Sequence, residues 1–419
     1  MAPNDKSILT NDEQFPTWLN EDFFKEILSK QYKDYKIKDF AAKAALQCGE
    51  NYTSIMIRVA IDLELAENNI NRVSYIVKIL SEKESKFNLV KEMNLFPKEI
   101  EMYTEILPKF EEMFKRCGST VKFGPNCLKA SSTQPCVLVM EDLSMRNFTN
   151  SNRLDGLDVE HMKAVLDKLA QFHSASACYI EWVKDFKEIY HEGIFTKKLL
   201  HLFEGIHENS TKIYLECVMN WPNGPKYMEK IVSNRKLQAK FFDRIVDALS
   251  IDWNSFTVLN HGDLWSNNIM FQHDEAGKIT ETYFVDFQLC KLGSPAQDLH
   301  YLLISSSSYD IKTKYFDYFL DYYYERLIDN LELLKYPKSP PTLTDFKVDI
   351  ERRGFIGIST ALGVMSAVVL DPSDDATMDN YLSNDEEGNS FKRHTYGNPR
   401  YVREMEALLP FFDKRGFLG

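Results

Sequence analysis

The chain has 419 residues, with 50 basic and 62 acidic side chains and a net charge of −12. That balance excludes non-specific binding to nucleic acid or to anionic membrane, both of which need basic patches, and a hydrophobic share of 44% excludes intrinsic disorder. The length is about two to three times that of an average domain, so two lobes or domains are expected.

The segment Met1–Gln14 is polar and holds no apolar stretch of the kind a secretory signal needs. Seven cysteines are scattered without a Cys-x-x-Cys pair. Reduced thiols and a cytoplasmic location are therefore expected, and a zinc ribbon is not. Ile55, Ile57, Val59, Ile61, Leu63 and Leu65 alternate with other residues at the period of a half-buried strand. After a polar turn, Val73, Tyr75, Val77 and Ile79 repeat the pattern, which predicts an antiparallel hairpin. Phe96, Ile100, Tyr103 and Leu107 fall on one helical stripe, with Pro97 in the first turn and Pro108 predicted to end the helix. Strands are predicted around Val121–Phe123 and at Val137–Met140. Beyond Asp142 the pattern turns mostly helical, and Val165, Leu166, Leu169, Phe172 and His173 make one such stripe. Short strand-like pieces return at Thr257–Asn260 and Thr282–Val285. The longest uncharged run, Gly354–Leu370, falls short of the roughly 20 apolar residues of a membrane span and reads as a buried helix. The fold class is therefore α+β, with a small, mostly β part first and a larger helical part after it.

The strongest chemical signal is Asn260-His261-Gly262-Asp263-Leu264-Trp265-Ser266-Asn267-Asn268, a His-x-Asp with Asn five residues after the Asp. Eighteen residues beyond Asn268 a strand ends in Val285-Asp286-Phe287-Gln288. Phosphoryl transfer from ATP needs an acceptor beside the substrate hydroxyl and oxygen ligands for the Mg²⁺ that bridges the phosphates. Asp263 is the candidate for the first task, and Asn268 and Asp286 for the second. The plain alternative is that His261 caps a strand and both Asp residues belong to turns. The joint spacing favours the chemical reading.

These stretches resemble the protein-kinase-like superfamily in its small-molecule branch, the choline kinases and aminoglycoside phosphotransferases. More closely, the chain is similar to the insect ecdysteroid kinase-like family, also called the CHK kinase-like group. The matching segments are Gly49–Ser54, Phe96–Glu99 with Tyr103, Leu138–Leu143, His261–Asn268 and Val285–Gln288. Protein kinases carry Arg in the place of Gly262 and Gly in the place of Gln288, and no Ala-Pro-Glu follows Asp286. These departures argue against a protein substrate.

The resemblance implies a bilobal protein-kinase-like fold divided at a hinge near residue 143, with residues 1–143 as the nucleotide lobe and 144–419 holding the catalytic loop, metal site and acceptor pocket. It calls for a strand Lys that reaches the phosphates and is paired with a helix Glu. Lys78 lies in the second hairpin strand on the face of Ser74, Ile76 and Leu80. Glu99 lies roughly 70° and Glu101 roughly 130° from the centre of the apolar stripe at about 100° per residue, so Glu99 is the chosen partner. Residues 49–54, with Gly49, Asn51 and Ser54, are implied as the phosphate turn, although no Gly-x-Gly-x-x-Gly is present. The backbone of Glu141, Asp142 and Leu143 is implied as the adenine edge. Asp298 matches a structural Asp of the family, and a helix N-terminal charge is its plain explanation. His173 reads as a satisfied core histidine.

The implied activity is ATP- and Mg²⁺-dependent phosphorylation of a hydroxyl on a small molecule, with an ecdysteroid or related steroid or xenobiotic alcohol as acceptor. A choline- or aminoglycoside-type kinase is the alternative among enzymes, and a nucleotide- or steroid-binding pseudokinase the alternative outside them. Aromatic residues after position 300, among them Tyr301, Phe316, Tyr318, Phe319 and Tyr322–Tyr324, read either as pocket lining or as core. The expected partner is the small-molecule acceptor alone, with no nucleic acid, no membrane span, and a monomer or weak oligomer.

Overall fold

The computed structural model describes residues 15–45, 54–65, 69–80, 93–183, 186–227, 241–373 and 375–418. The chain divides into two units, one of residues 1–87 with 125–146 and one of residues 88–124 with 147–419. Residues 88–124 thus group with the larger unit rather than with the strands that precede them.

The smaller unit is a five-stranded antiparallel sheet in the order β1-β2-β3-β5-β4, built from β1 (Lys36–Ala44), β2 (Ser54–Glu64), β3 (Ile70–Leu80), β4 (Cys127–Ser131) and β5 (Val137–Glu141). The period-2 pattern of β2 and β3 places Ile57, Val59, Ile61, Leu63, Tyr75, Val77 and Ile79 in one core. The helix Glu21–Gln31 covers this core with Phe24, Ile27 and Leu28. Its start is fixed by Asn20, whose side chain accepts from the Phe23 N–H at 3.3 Å. One expectation is overturned in this unit's neighbourhood. Val121–Phe123 is not a strand, and the edge strand is Cys127–Ser131 instead. Phe123 is nonetheless a buried anchor in the larger unit, and its carbonyl accepts from the Phe284 N–H at 2.7 Å.

The larger unit opens with a helical path that Pro108 does not end. The helix Leu95–Glu101 runs into a π-helical turn, Met102–Ile106, and continues as Leu107–Arg116 with Pro108 in its first turn. A proline lacks the N–H a continuous helix would need, and the wider π turn absorbs the mismatch, so the path resets instead of stopping. The long helix Val159–Val183 packs against Phe316–Leu333, and Tyr322 donates to both Asp167 oxygens at 3.0 Å. In sequence β6 (Phe148–Thr149) precedes the first of these helices, and β7 (Val258–Asn260), β8 (Ile269–His273), β9 (Ile279–Phe284) and β10 (Lys291–Gly293) lie between the two. They form a three-stranded sheet, β6-β8-β9, and a β7-β10 pair. Gly354–Leu370 is buried as expected, but as two helices, Phe355–Leu362 and Val364–Val368, broken at Gly363. Among the described residues no helix is long and apolar enough to cross a membrane. The α+β expectation, a small sheet unit and a larger helical one, is borne out.

Candidate active site

The loop from His261 to Asn268 leaves β7 and enters β8 through a short 3₁₀ turn, Ser266–Asn268. Gly262 has φ of +83°, and a Cβ there would lie 2.2 Å from the Leu289 carbonyl oxygen. Only glycine serves at this point of the loop. His261 turns inward. Its Nε2 lies 3.0 Å from the Val285 carbonyl, and its Nδ1 accepts from the Asp263 N–H at 3.3 Å. Those two bonds require the neutral ring with the proton on Nε2. Burial, which outweighs the neighbouring acids, lowers its pKa and favours the same form.

Asp263 is half-buried and both of its oxygens are engaged. The Asn268 amide donates to Oδ2 at 3.0 Å and to the Asp263 carbonyl at 2.8 Å. The Tyr301 hydroxyl donates to Oδ1. Burial, reinforced by the negative charge of Asp286, pushes the Asp263 carboxyl up to about 6, while the Tyr301 and Asn268 bonds work against that rise. Asp286 sits just past β9 with φ of 67°, a left-handed conformation uncommon for a residue with a side chain. Gln288 donates to its Oδ2 at 3.0 Å. The loop thus joins Asp263 to Asn268 directly, and the charge of Asp286 acts on Asp263.

A magnesium ion fits this donor set. Asn268 spends its Nδ2 on Asp263, so its amide oxygen is the atom left for a cation, and Asp286 adds a carboxylate. Hard oxygen donors, one carboxylate or two, with phosphate and water completing the shell, are what Mg²⁺ takes. Among the described residues no group of three or more His, Cys, Asp or Glu side chains could hold a metal.

The loop is clamped from outside. Asp298, fully buried in the helix Ala296–Ser306, accepts from the His261 N–H at 2.6 Å and the Gly262 N–H at 2.9 Å. It also lies 3.1 Å from Nε2 of His173, whose Nδ1 meets the Tyr323 hydroxyl at 2.7 Å. Asp298 is more than a helix-end charge, and His173 is the satisfied core histidine expected. The Ser306 hydroxyl accepts from the Ser266 N–H at 3.0 Å. From the other side Asn150 donates to the carbonyls of Asn267 at 2.8 Å and Ile269 at 2.9 Å, bracketing Asn268. Asn150 has no signal in the sequence, and Tyr301 reads there only as pocket lining or core. Tyr301 had one usable signal, its place three residues after Asp298 on the same helix face.

The remaining candidates fall as follows. Glu99, in the helix Leu95–Glu101 of the larger unit, is 1% exposed, whereas Glu101 reaches Lys187 at 2.8 Å. Phe287, next to Asp286, packs edge-on against Tyr103 at 5.4 Å, which ties that helical path to the Asp286 turn. Lys78, in the smaller unit, is 2% exposed on β3 and pairs in register with Met56 of β2 and Leu138 of β5. Ser54 opens β2 opposite Leu80. Gly49 and Asn51 lie outside the described residues. At the end of β5 the Glu141 N–H donates to the Asn126 carbonyl at 3.1 Å, and the Asp142 carbonyl accepts from the Met145 N–H at 3.1 Å. Leu143 is buried. The Asp142 side chain is taken up by Ser74 at 2.6 Å, Ser144 at 2.7 Å and Arg58 at 2.8 Å. Burial pushes its pKa up, but these hydrogen bonds and the Arg58 charge prevail and hold it below its ordinary value.

The sequence profile of the ecdysteroid kinase-like family matches residues 48–336. A 4-hydroxytryptamine kinase from Psilocybe cyanescens is 45% identical over 51 residues, which is 12% of this chain and 14% of that protein. The crystal structure of choline kinase from Cryptosporidium parvum Iowa II superposes with a TM-score of 0.51 at 12% identity, covering 95% of this chain and 99% of that one. At that identity the likeness concerns the fold alone.

Proposed function

The chain belongs to the ecdysteroid kinase-like family, and from that premise we propose that it transfers the γ-phosphoryl group of ATP to a hydroxyl of a small molecule. The observation that carries the reading is Asp263, held by Asn268 on one loop and under the charge of Asp286.

In this mechanism the acceptor hydroxyl donates to Asp263, which orients the oxygen toward the γ-phosphorus. A bond forms from that oxygen to phosphorus, the bond from phosphorus to the β–γ bridging oxygen breaks, ADP leaves, and the hydroxyl proton passes to Asp263. Magnesium, when bound by Asn268 and Asp286, would neutralise charge on the phosphates. Lys78, a buried cation on a central strand, is assigned to the phosphates, and Glu99, a buried carboxylate, to the pairing that the family pattern calls for. The turn of Gly49, Asn51 and Ser54 and the backbone of Glu141–Leu143 keep their assigned roles toward phosphate and adenine. With Lys78, Asp263, Asn268 and Asp286 all present, a catalytic protein is favoured over a pseudokinase.

The family supports an ecdysteroid or related steroid or xenobiotic alcohol as acceptor. A cationic acceptor is the second reading, supported by the name of the relative, a kinase of 4-hydroxytryptamine. The deciding experiment follows ³²P transfer from Mg·[γ-³²P]ATP to ecdysteroids, other sterols, hydroxytryptamines, choline and aminoglycosides, with Asp263→Asn as control. Transfer to one class names the acceptor. Absence of any transfer together with absence of Mg·ATP binding rejects the kinase reading, and equal transfer by Asp263→Asn rejects the role of Asp263.

A further inference from the structure

We infer that Tyr301 is a positioning residue for Asp263, a role that rests on the phosphotransferase reading and extends it to a group outside the loop motif. The Tyr301 hydroxyl donates to Asp263 Oδ1 while Asn268 donates to Oδ2. A carboxylate offers about four lone-pair positions. One on each oxygen is therefore taken, and the plane of the group is fixed by donors at both ends. The acceptor hydroxyl then meets a carboxylate that has no freedom to turn away.

The placement of Tyr301 is itself rigid. Its helix, Ala296–Ser306, holds the same loop at three backbone N–H groups, those of His261 and Gly262 through Asp298 and that of Ser266 through Ser306. The Tyr301 carbonyl accepts from the Ser305 hydroxyl at 2.6 Å, and Ser305 lies 2.9 Å from Ser306 Oγ. The distance from the Tyr301 hydroxyl to Asp263 is thus set by a helix already fastened to the loop. A site held by groups that are themselves locked avoids reorganisation during the reaction. The two residues are 38 apart in sequence. Their contact belongs to the fold rather than to the loop.

Tyr301→Phe removes one hydroxyl and keeps the ring. The expected result is a fall in acceptor phosphorylation on the order of 10- to 100-fold, the effect of one hydrogen bond to a charged group. Affinity for Mg·ATP is expected to stay unchanged, and slow hydrolysis of ATP by water to fall less than transfer, since only transfer needs the oriented carboxylate. In an Asp263→Asn background the same change should add little, the signature of two residues acting as one. Wild-type transfer within about threefold in Tyr301→Phe overturns the inference. So does an equal loss of transfer, hydrolysis and nucleotide binding, which marks a purely structural role. If the wild-type chain phosphorylates no acceptor at all, the phosphotransferase reading falls first and takes this one with it. Wild-type turnover therefore separates the two failures.

Discussion

Asp298→Asn is the sharpest test of how the loop is held. The aspartate accepts three hydrogen bonds, with Oδ2 serving the His261 N–H and His173, and Oδ1 serving the Gly262 N–H. The amide is the same size but has one acceptor and one donor end. In its better orientation the oxygen keeps the two partners of Oδ2, and the NH₂ faces the Gly262 N–H. One charge-assisted bond is lost, about 2 kcal/mol, and two become neutral, about 1 kcal/mol each. The sum is about 4 kcal/mol of local stability, or close to three decades in an opening equilibrium. Hydrogen exchange of a peptide spanning 258–268 should accelerate by about 10³, while peptides from β2 and β3 exchange as in the wild type. Phosphotransfer should fall by about 10² or more, since Asp263 hangs from the loosened segment. Exchange within threefold of the wild type across 258–268 would refute the claim that Asp298 carries the loop.

Three further outcomes follow from the same geometry. Gly262→Ala should fold but lose most transfer, because a Cβ would meet the Leu289 carbonyl at 2.2 Å and φ of +83° costs a side-chain-bearing residue about 1–2 kcal/mol; full activity with an unchanged thermal midpoint would remove the steric argument. Asp286→Asn should raise the Mg²⁺ concentration for half-maximal rate by tenfold or more, and chelation should abolish transfer; an unchanged Mg²⁺ titration would take Asp286 out of the metal set. Asp263 titrates at about 6 in the folded chain, raised by burial and by Asp286, against about 3.9 unfolded. Transfer should therefore fall as pH drops through about 6, where the proton acceptor is already filled. The stability effect has the opposite sign from a salt-bridged acid: ionising Asp263 is unfavourable in the fold, so its cost is absent below about 4, grows between about 4 and 6, and is complete above that. Metal-free Asp263→Asn should accordingly gain stability over the wild type at pH 7 and not at pH 4, as read from thermal midpoints at the two values.

The parts legible in the sequence were those set by local period or local spacing. β2 announces itself because one face is buried, so its alternation is strict, and β3 shares the period until Val77, Lys78 and Ile79, which are all buried. Helical angles place Glu99 rather than Glu101 on the covered face, and Glu99 is buried. The loop His261–Asn268 shows because the chemistry proposed for it needs particular residue types a few positions apart. What stayed hidden has physical reasons as well. β1 runs Lys-Ile-Lys-Asp-Phe-Ala-Ala-Lys-Ala along a sheet edge with little buried, so no apolar alternation marks it. Pro108 reads as a stop because sequence rules assume an α-helix, and the π turn that reseats it leaves no compositional trace. Tyr301, Asn150 and the partners of His173 are defined by contacts more than 35 residues away in the chain, which no local window contains.

Environment separates Asp263, to which we assign the proton-acceptor role, from the acids that hold the structure. Asp142 and Asp263 share a residue type, and burial acts on both. Asp142 has two hydroxyl donors and a guanidinium, so its charge is satisfied and its pKa is held below the ordinary value. Such a group has no capacity left for a ligand, and its segment can meet a nucleotide only through the backbone. Asp263 has two neutral donors and a nearby carboxylate, so its charge is poorly compensated and its pKa is raised to about 6. A carboxylate in that state is ionised near neutral pH yet gains from taking up a proton, which is the property a proton acceptor needs. The same contrast explains the architecture around the loop. The tight bonds of Asp298 and Asn150 are spent on backbone, and the under-compensated group is held by two neutral side chains. Strengthening the hold on Asp263 with a cation in the place of Tyr301 would therefore stabilise the carboxylate and weaken it as a proton acceptor.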